Sequence, residues 1–481
     1  MTTSEVPDSP PPPIMPNETP TITDATPSEK EKLNVEEGST EAVDAVEEVT
    51  EVDTYKVVYL IIILQGIGVL MPWNMLLNIS YDYFENYKLK ENVNGTLQDT
   101  TYSSVFQNTM TVASQLPNLL LNLVNIFGSS GGELTSRIKI CMIINGAVIF
   151  FTIVLAVIDS STWVAAFFVL TIVSIIFLNG SNGIYQNSLF GMVSELPFTY
   201  TNAIIIGQNL CGTFITILAM LTKLVTDSIV IRAVLYFGLS LLTVVACYFT
   251  LEIMTKRKFF KAHVNRAKAI ELKSVKESKS EEDDDKEEEE KPTTSLGFYY
   301  GVFKEAKGML LNVYFLFFVT LAIFPNVQMY VADNKPGEPY TFFIPERYFM
   351  DFATFLNFNV FAFVGSLIAN YVQPGPKYIW IAVVARVWFL FYFPFANYLP
   401  ATRKWPVLFE STWFFVFNGF LYAITSGYLS SLCMMYAPQT VAPHRARYAG
   451  MMAGFFLIFG IVSGLLFSIV IKVVITSVGP L

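Results

Sequence analysis

Gln115, Asn118, Asn122 and Asn125 recur at i, i+3, i+7 and i+10 within an otherwise apolar stretch, which puts four amides on one helix face. Asn179, Asn182 and Gln186 repeat the pattern in a second stretch. Gln65, Asn74, Gln208, Asn209, Asn326, Gln328, Asn357 and Asn359 are spread over further apolar stretches. A side-chain amide carries no charge; it offers two N–H donors and a carbonyl acceptor. Alongside 42 Phe and 24 Tyr, such groups suit a neutral, planar, hydrogen-bonding solute. Rings supply contact area, and amides read donor and acceptor edges. The competing account has the amides bonding helices to one another, worth about 0.6 kcal/mol per pair. For a set spread over six helices, a polar central cavity is the better account.

Reaction chemistry finds no footing. The two histidines, His263 and His444, lie in charged connections, and Cys141, Cys211, Cys247 and Cys433 sit singly in apolar segments. No metal cluster, catalytic residue, nucleophile with base or disulfide framework can be assembled from them. No Walker-type motif is present, so no cofactor and no enzyme activity are expected. The absence of a sustained basic surface argues against nucleic acid as a partner, and no obligate protein partner is evident.

The elements that carry the amides must lie in a bilayer. The chain has 481 residues, 53% of them hydrophobic, and a mean hydropathy of +0.47. A hydrocarbon core about 30 Å thick needs about 20 apolar residues of helix. Eleven stretches meet that length, near 55–79, 103–127, 138–158, 163–193, 202–224, 229–254, 307–330, 348–372, 378–398, 406–436 and 447–475. The backbone finds no water there, so each should be α-helical. The expected fold is an all-α polytopic membrane protein of eleven transmembrane helices. It divides into a disordered cytosolic tail over 1–53, a six-helix bundle over 54–254, a charged cytosolic loop over 255–300 and a five-helix bundle over 301–481.

Basic residues orient the bundle. Lys256, Arg257, Lys258, Lys261, Arg266 and Lys268 follow span six, Arg137 and Lys139 precede span three, and Arg445 and Arg447 precede span eleven. These connections share one side, which the positive-inside rule makes the cytosol. The N-terminus is then cytosolic and the C-terminus extracellular. Asn94, in an Asn-Gly-Thr sequon after span one, falls on the outer side, where it is open to glycosylation. That glycan site suits the plasma membrane or another secretory-pathway compartment. Arg386 is the clearest ionisable residue deep in a span, and no buried carboxylate is suited to relay a proton or hold sodium. The pattern favours facilitated diffusion over pumping.

Several of these residues carry a resemblance. Gly66-Ile67-Gly68-Val69-Leu70-Met71-Pro72-Trp73-Asn74 resembles the first-helix signature of the equilibrative nucleoside transporter family. Gln186-Asn187-Ser188-Leu189-Phe190-Gly191, Leu196-Pro197 and Gly207-Gln208-Asn209-Leu210-Cys211-Gly212 resemble its fourth and fifth helices. Phe358-Asn359, Arg386, Ala449-Gly450 and Phe455-Phe456-Leu457 fit as well. The resemblance implies a fold related to the major facilitator architecture, two bundles rocking about a central site, and nucleoside or nucleobase substrates. It also implies a pocket lined by Leu70, Trp73 and Leu77, with Gln115 and Asn118 facing substrate. Gln186 would read the nucleobase, and Asn359 would lie beside the sugar. Arg386, Arg445 and Arg447 are expected to serve structure and gating.

Two departures stand out. The family's Asp and Arg in span eight are replaced by Ala362 and Ser366, and two glutamates before span eleven by Arg445 and Arg447. Sugar recognition and closure of the inner gate must therefore use other contacts. The expected function is passive transport of nucleosides and possibly nucleobases. The alternatives are a ligand-binding or sensing protein without flux, and a carrier of another planar metabolite.

Overall fold

The computed structural model describes residues 51–93, 96–128, 133–280, 296–333 and 339–479. The tail over 1–50, the acidic run 281–290 and the sequon residue Asn94 lie outside the described residues. Residues 50–481 form one compact unit.

The chain runs through α1 (Val57–Ile79), the short strands β1 (Glu91–Val93) and β2 (Thr96–Gln98), and α2 (Thr101–Phe127). There follow α3 (Leu134–Val157), α4 (Val164–Val193), α5 (Thr199–Val225), α6 (Ile229–Lys256) and α7 (Lys258–Ser280). The remainder comprises α8 (Leu296–Ile323), α9 (Glu346–Ile368), α10 (Pro376–Phe395), α11 (Thr412–Tyr436) and α12 (Ala446–Thr476). The fold is that of an all-helical membrane protein. Nine helical segments among the described residues are long and apolar enough to cross a bilayer. The expected eleven are not all recovered by that measure. α2 and α11 are long enough, at 27 and 25 residues, but carry amides, hydroxyls and tyrosines that lower their hydropathy.

Two boundaries differ from expectation for a shared reason: charge does not end a helix that has left the hydrocarbon. α8 begins at Leu296, ahead of the expected 307, and carries Lys304, Glu305 and Lys307 in its leading turns. The connection read as a charged loop holds α7 in its first part. Its Lys, Glu, Ala and Arg residues are good helix formers, and Phe259 and Phe260 are buried beneath it.

Side chains sort by face. On α2, Val112, Leu116, Leu120 and Val124 are exposed, whereas Ser114, Asn118, Asn122 and Asn125 are buried. The amide stripe thus points inward and an aliphatic stripe outward, as hydrocarbon around the helix requires. Small residues let helices cross closely. A Cβ on Gly66 of α1 would fall 3.1 Å from the Cα of Gly207 on α5. A Cβ on Gly460 or Gly464 of α12 would fall 2.5 Å from the carbonyl oxygen of Tyr314 or Phe318 on α8.

The helix ends are tied as well. At the end of the bundle carrying α7, the Asp53 carboxylate accepts from the Val58 and Tyr59 amides at 3.1 Å and from Tyr200 Oη at 2.9 Å. Asp53 therefore belongs to the folded unit, anchoring α1 to α5. At the opposite end Thr100, Ser228 and Ser411 cap α2, α6 and α11.

Candidate functional site

The buried amides separate into those that join helices and those with an unengaged end. Asn125 Nδ2 donates to Asn187 Oδ1 at 2.8 Å and to Ser188 Oγ at 3.0 Å, while its own Oδ1 accepts from Arg137 at 3.0 Å. Asn187 Nδ2 donates to Asn122 Oδ1 at 2.8 Å and to the Met451 carbonyl at 2.7 Å. This chain binds α2, α3, α4 and α12. Gln65 likewise joins α1 to α6 through the Cys247 carbonyl at 2.9 Å, and accepts from Tyr185 of α4 at 2.6 Å. For these residues the amide is a bond between helices.

A second group is buried without full pairing. Gln186 is 2% exposed, and its side chain has no hydrogen-bond partner among the described residues. One turn earlier on the same helix face, the Asn182 Oδ1 atom is buried without a partner. Asn118 Oδ1, across from Gly183, is in the same position, as is Gln208 Nε2 on α5. Gln115, half-buried, reaches only the neighbouring Ser114 Oγ at 3.4 Å. On α1, Leu70 and Trp73 are partly buried against the same core, and Leu77, one turn on, is exposed. Leu70, Trp73 and Leu77 share one face of α1; Asn118 meets α4 at Gly183, three residues from Gln186.

Asn359 stands elsewhere. It donates to Thr216 Oγ1 of α5 at 3.1 Å and packs on Gly212, so it is part of the seam between α5 and α9. The seam continues with Asn209 Nδ2 to the Ala362 carbonyl at 3.4 Å and Asn202 Nδ2 to the Ser366 carbonyl at 2.9 Å. Asn202 also donates to Asn370, which donates to Tyr59 Oη, at 2.8 and 2.9 Å. Ala362 and Ser366 are 1% and 0% exposed. Gly365 and Gly427 bring α9 and α11 into backbone contact beside them. Positions 362 and 366 are thus sealed by neighbouring helices, and their carbonyls are held by amides of α5.

Charges gather at the end that carries α7. Arg447 Nη1 lies 4.0 Å from Glu195 Oε1, joining the start of α12 to the turn after α4. Arg445 pairs with Glu305 of α8. Burial pushes the Glu195 carboxyl up to about 7, against the opposing pull of Arg447. Arg386, 2% exposed, lies within the helices. Its guanidinium donates to the Tyr422 carbonyl at 2.8 Å and Thr320 Oγ1 at 3.0 Å, bonds Thr425, and sits 4.7 Å from the Tyr422 ring centroid. It fastens α8, α10 and α11 together. Sequence reasoning missed Glu195 and the Tyr59–Asn370–Asn202 relay. The available signal was Glu195 itself, an acid beside the Leu196-Pro197 turn.

Comparison with known proteins places these residues in context. A protein-family model described as nucleoside transporter matches residues 172–473. Equilibrative nucleoside transporter 1 of Homo sapiens is 28% identical over 457 residues, covering 88% of this chain and 98% of its own. Equilibrative nucleotide transporter 1 of Arabidopsis thaliana is 26% identical over 449 residues, covering 92% and 91%. Among solved structures, the major facilitator superfamily proton:xylose symporter XylE superposes with a TM-score of 0.57 at 9% identity, covering 86% of this chain and 88% of that one. At that identity the likeness shows the fold alone, a major-facilitator-like arrangement.

Proposed function

Since the chain belongs to the nucleoside transporter family, whose members are transporters and not enzymes, we propose that it carries nucleosides, and with them nucleobases, passively across a membrane by alternating access. It is an integral membrane protein. The observation that carries the reading is Gln186, enclosed at 2% exposure with its amide unengaged among the described residues. Leaving a fully buried amide atom unpaired, as at Asn118 Oδ1, Asn182 Oδ1 and Gln208 Nε2, costs about 1–3 kcal/mol, which a planar ligand presenting donor and acceptor edges would offset. Leu70, Trp73 and Leu77 supply an apolar wall, and Gln115 flanks it. The names of the equilibrative relatives support passive flux.

The bundles over 54–254 and 301–481 are the proposed moving bodies, eleven spans in all, turning about a site between them. The end with Arg137, Arg257, Arg445 and Arg447 faces the cytosol by the positive-inside rule. The N-terminus is then inside, the C-terminus outside, the membrane the plasma membrane, and Asn94 a glycan acceptor. Contacts of α4 with α12 and of α5 with α9 support reading this conformation as closed to the cytosol. Asn359 is engaged by Thr216 in it and becomes available to a sugar hydroxyl when α5 and α9 part. Arg445 and Arg447 close the gate with Glu305 and Glu195, and Arg386 stiffens the second bundle.

Uptake of labelled nucleosides and nucleobases into proteoliposomes tests the reading. Saturable flux that stops at equal concentrations is expected. Ligand-dependent thermal stabilisation without flux would make the chain a binder instead, and stronger competition by another planar metabolite would change the substrate.

A further inference from the structure

α7 leaves α6 and lies against the ends of α4 and α12, and the three line a half-open cleft of about 270 Å³. Its lining includes Glu195 after α4, His263, Arg266 and Glu271 on α7, His444 before α12 and Arg447 in its first turn. α4 and α7 are joined to the first bundle and α12 to the second, so the cavity exists only while this end is shut. Gly191 and Gly450 bring α4 and α12 into close contact beside it, where a Cβ on Gly450 would fall 2.8 Å from Ser194 Oγ.

Glu195 is nearly enclosed there, 13% of its side chain exposed, with Arg447 at the outer limit of ion pairing, 4.0 Å away. Resting on the orientation and gating proposed above, we propose that the cavity is a cytosolic proton-binding site. Glu195 takes a proton from the cytosol as α4, α7 and α12 close over it, and returns it to the cytosol when they part. No charge crosses the membrane; cytosolic pH sets how firmly the gate stays shut.

Burial raises the Glu195 carboxyl from 4.5 to about 7, with Glu271 adding to the shift and Arg447 and Lys268 opposing it. Once the gate parts, water restores the ordinary value. A group that binds its proton more tightly in the closed state favours closure as pH falls. The histidines act in the opposite sense. His263 is lowered by burial and by Arg266; His444 by burial and by Arg445, with Glu305 and Glu271 opposing. Both bind a proton less tightly in the closed state, so acidification through their range favours opening. Glu195 is therefore isolated by comparing variants, not by the pH profile of the parent alone.

The test uses full-length protein in nanodiscs with spin labels at Asn265→Cys on α7 and Gln439→Cys before α12, both exposed sites. Distances between them report the closed and open populations from pH 6.5 to 8. With a value of about 7 in the closed state and 4.5 in the open state, linkage makes the closed-to-open ratio of the parent fall about fourfold more than that of Glu195→Gln over this range. Superimposable pH dependence of parent and Glu195→Gln would overturn the proposal. Should Glu195→Gln fold poorly, Glu271→Gln removes a like charge beside Glu195 and must move the midpoint below that of the parent. An unmoved midpoint would count against the site equally.

Discussion

The side-chain amide of Asn187 donates to the main-chain carbonyl of Met451 at 2.7 Å, across the seam between α4 and α12. The same amide group holds Asn122 on α2, and its oxygen accepts from Asn125. One residue therefore ties α2 and α4 to the start of α12.

Replacing it with leucine should expose that dual role. Asn187→Leu leaves Asn122 Oδ1 and the Met451 carbonyl without this donor inside a buried seam, at a cost of about 1–3 kcal/mol. Thermal unfolding of the purified protein in detergent should show a lower midpoint. On the proposed alternating-access reading the Met451 bond breaks when α4 and α12 part, so the same variant should populate the cytosol-open conformation more. A parent-like melting curve would remove the network from the account.

Gln186→Ala should behave in the reverse way. The side chain has no partner to lose among the described residues, so Gln186→Ala forfeits no hydrogen bond, and the ligand-free melting midpoint should fall less than that of Asn187→Leu. Nucleoside affinity should weaken about tenfold, corresponding to loss of roughly one to two hydrogen bonds. Binding measured by calorimetry alongside melting separates the two; unchanged affinity would take Gln186 out of the site.

Introducing into α9 the Asp and Arg that the family resemblance implies should do harm. In Ala362→Asp/Ser366→Arg, both side chains would enter positions at 1% and 0% exposure, packed on α5 and on the glycines of the α9–α11 crossing. Overpacking alone costs about 1–3 kcal/mol. Lower expression, a lower melting temperature and no gain in ribose discrimination are expected. A stable double variant with tighter nucleoside binding would show that this face opens to the pocket.

Arg386 should resist conservative exchange. Its planar fork reaches the Tyr422 carbonyl and Thr320 Oγ1 together while stacking on the Tyr422 ring. A lysine ammonium is a point charge on a flexible stem and cannot reproduce that arrangement. Arg386→Lys should lower the unfolding free energy by about 1–3 kcal/mol. Arg386→Met, which removes the buried charge while keeping volume, should cost less than Arg386→Ala. Equal melting of all three variants would contradict a fastening role.

The helical membrane fold was legible because its cause is local. A stretch of apolar residues as long as the hydrocarbon is thick must be helical wherever it packs, and the inward direction of the Asn118–Asn122–Asn125 stripe follows from helical periodicity alone. Extension of α8 to Leu296 and the formation of α7 were not legible, since charge marks where a chain leaves the membrane and not where its helix ends. The partner of each amide was equally hidden. Asn122, Asn125 and Gln186 are the same kind of group in the same kind of context, yet two are locked between helices and the third is unengaged. That assignment depends on which helices approach and how closely, through Gly183, Gly212 and Gly427, and on where a carbonyl such as that of Met451 arrives from 264 residues away. Periodicity told which face turns inward; only tertiary packing decided what that face meets, because hydrogen-bond partners are chosen by distances of a few tenths of an ångström between segments remote in the chain.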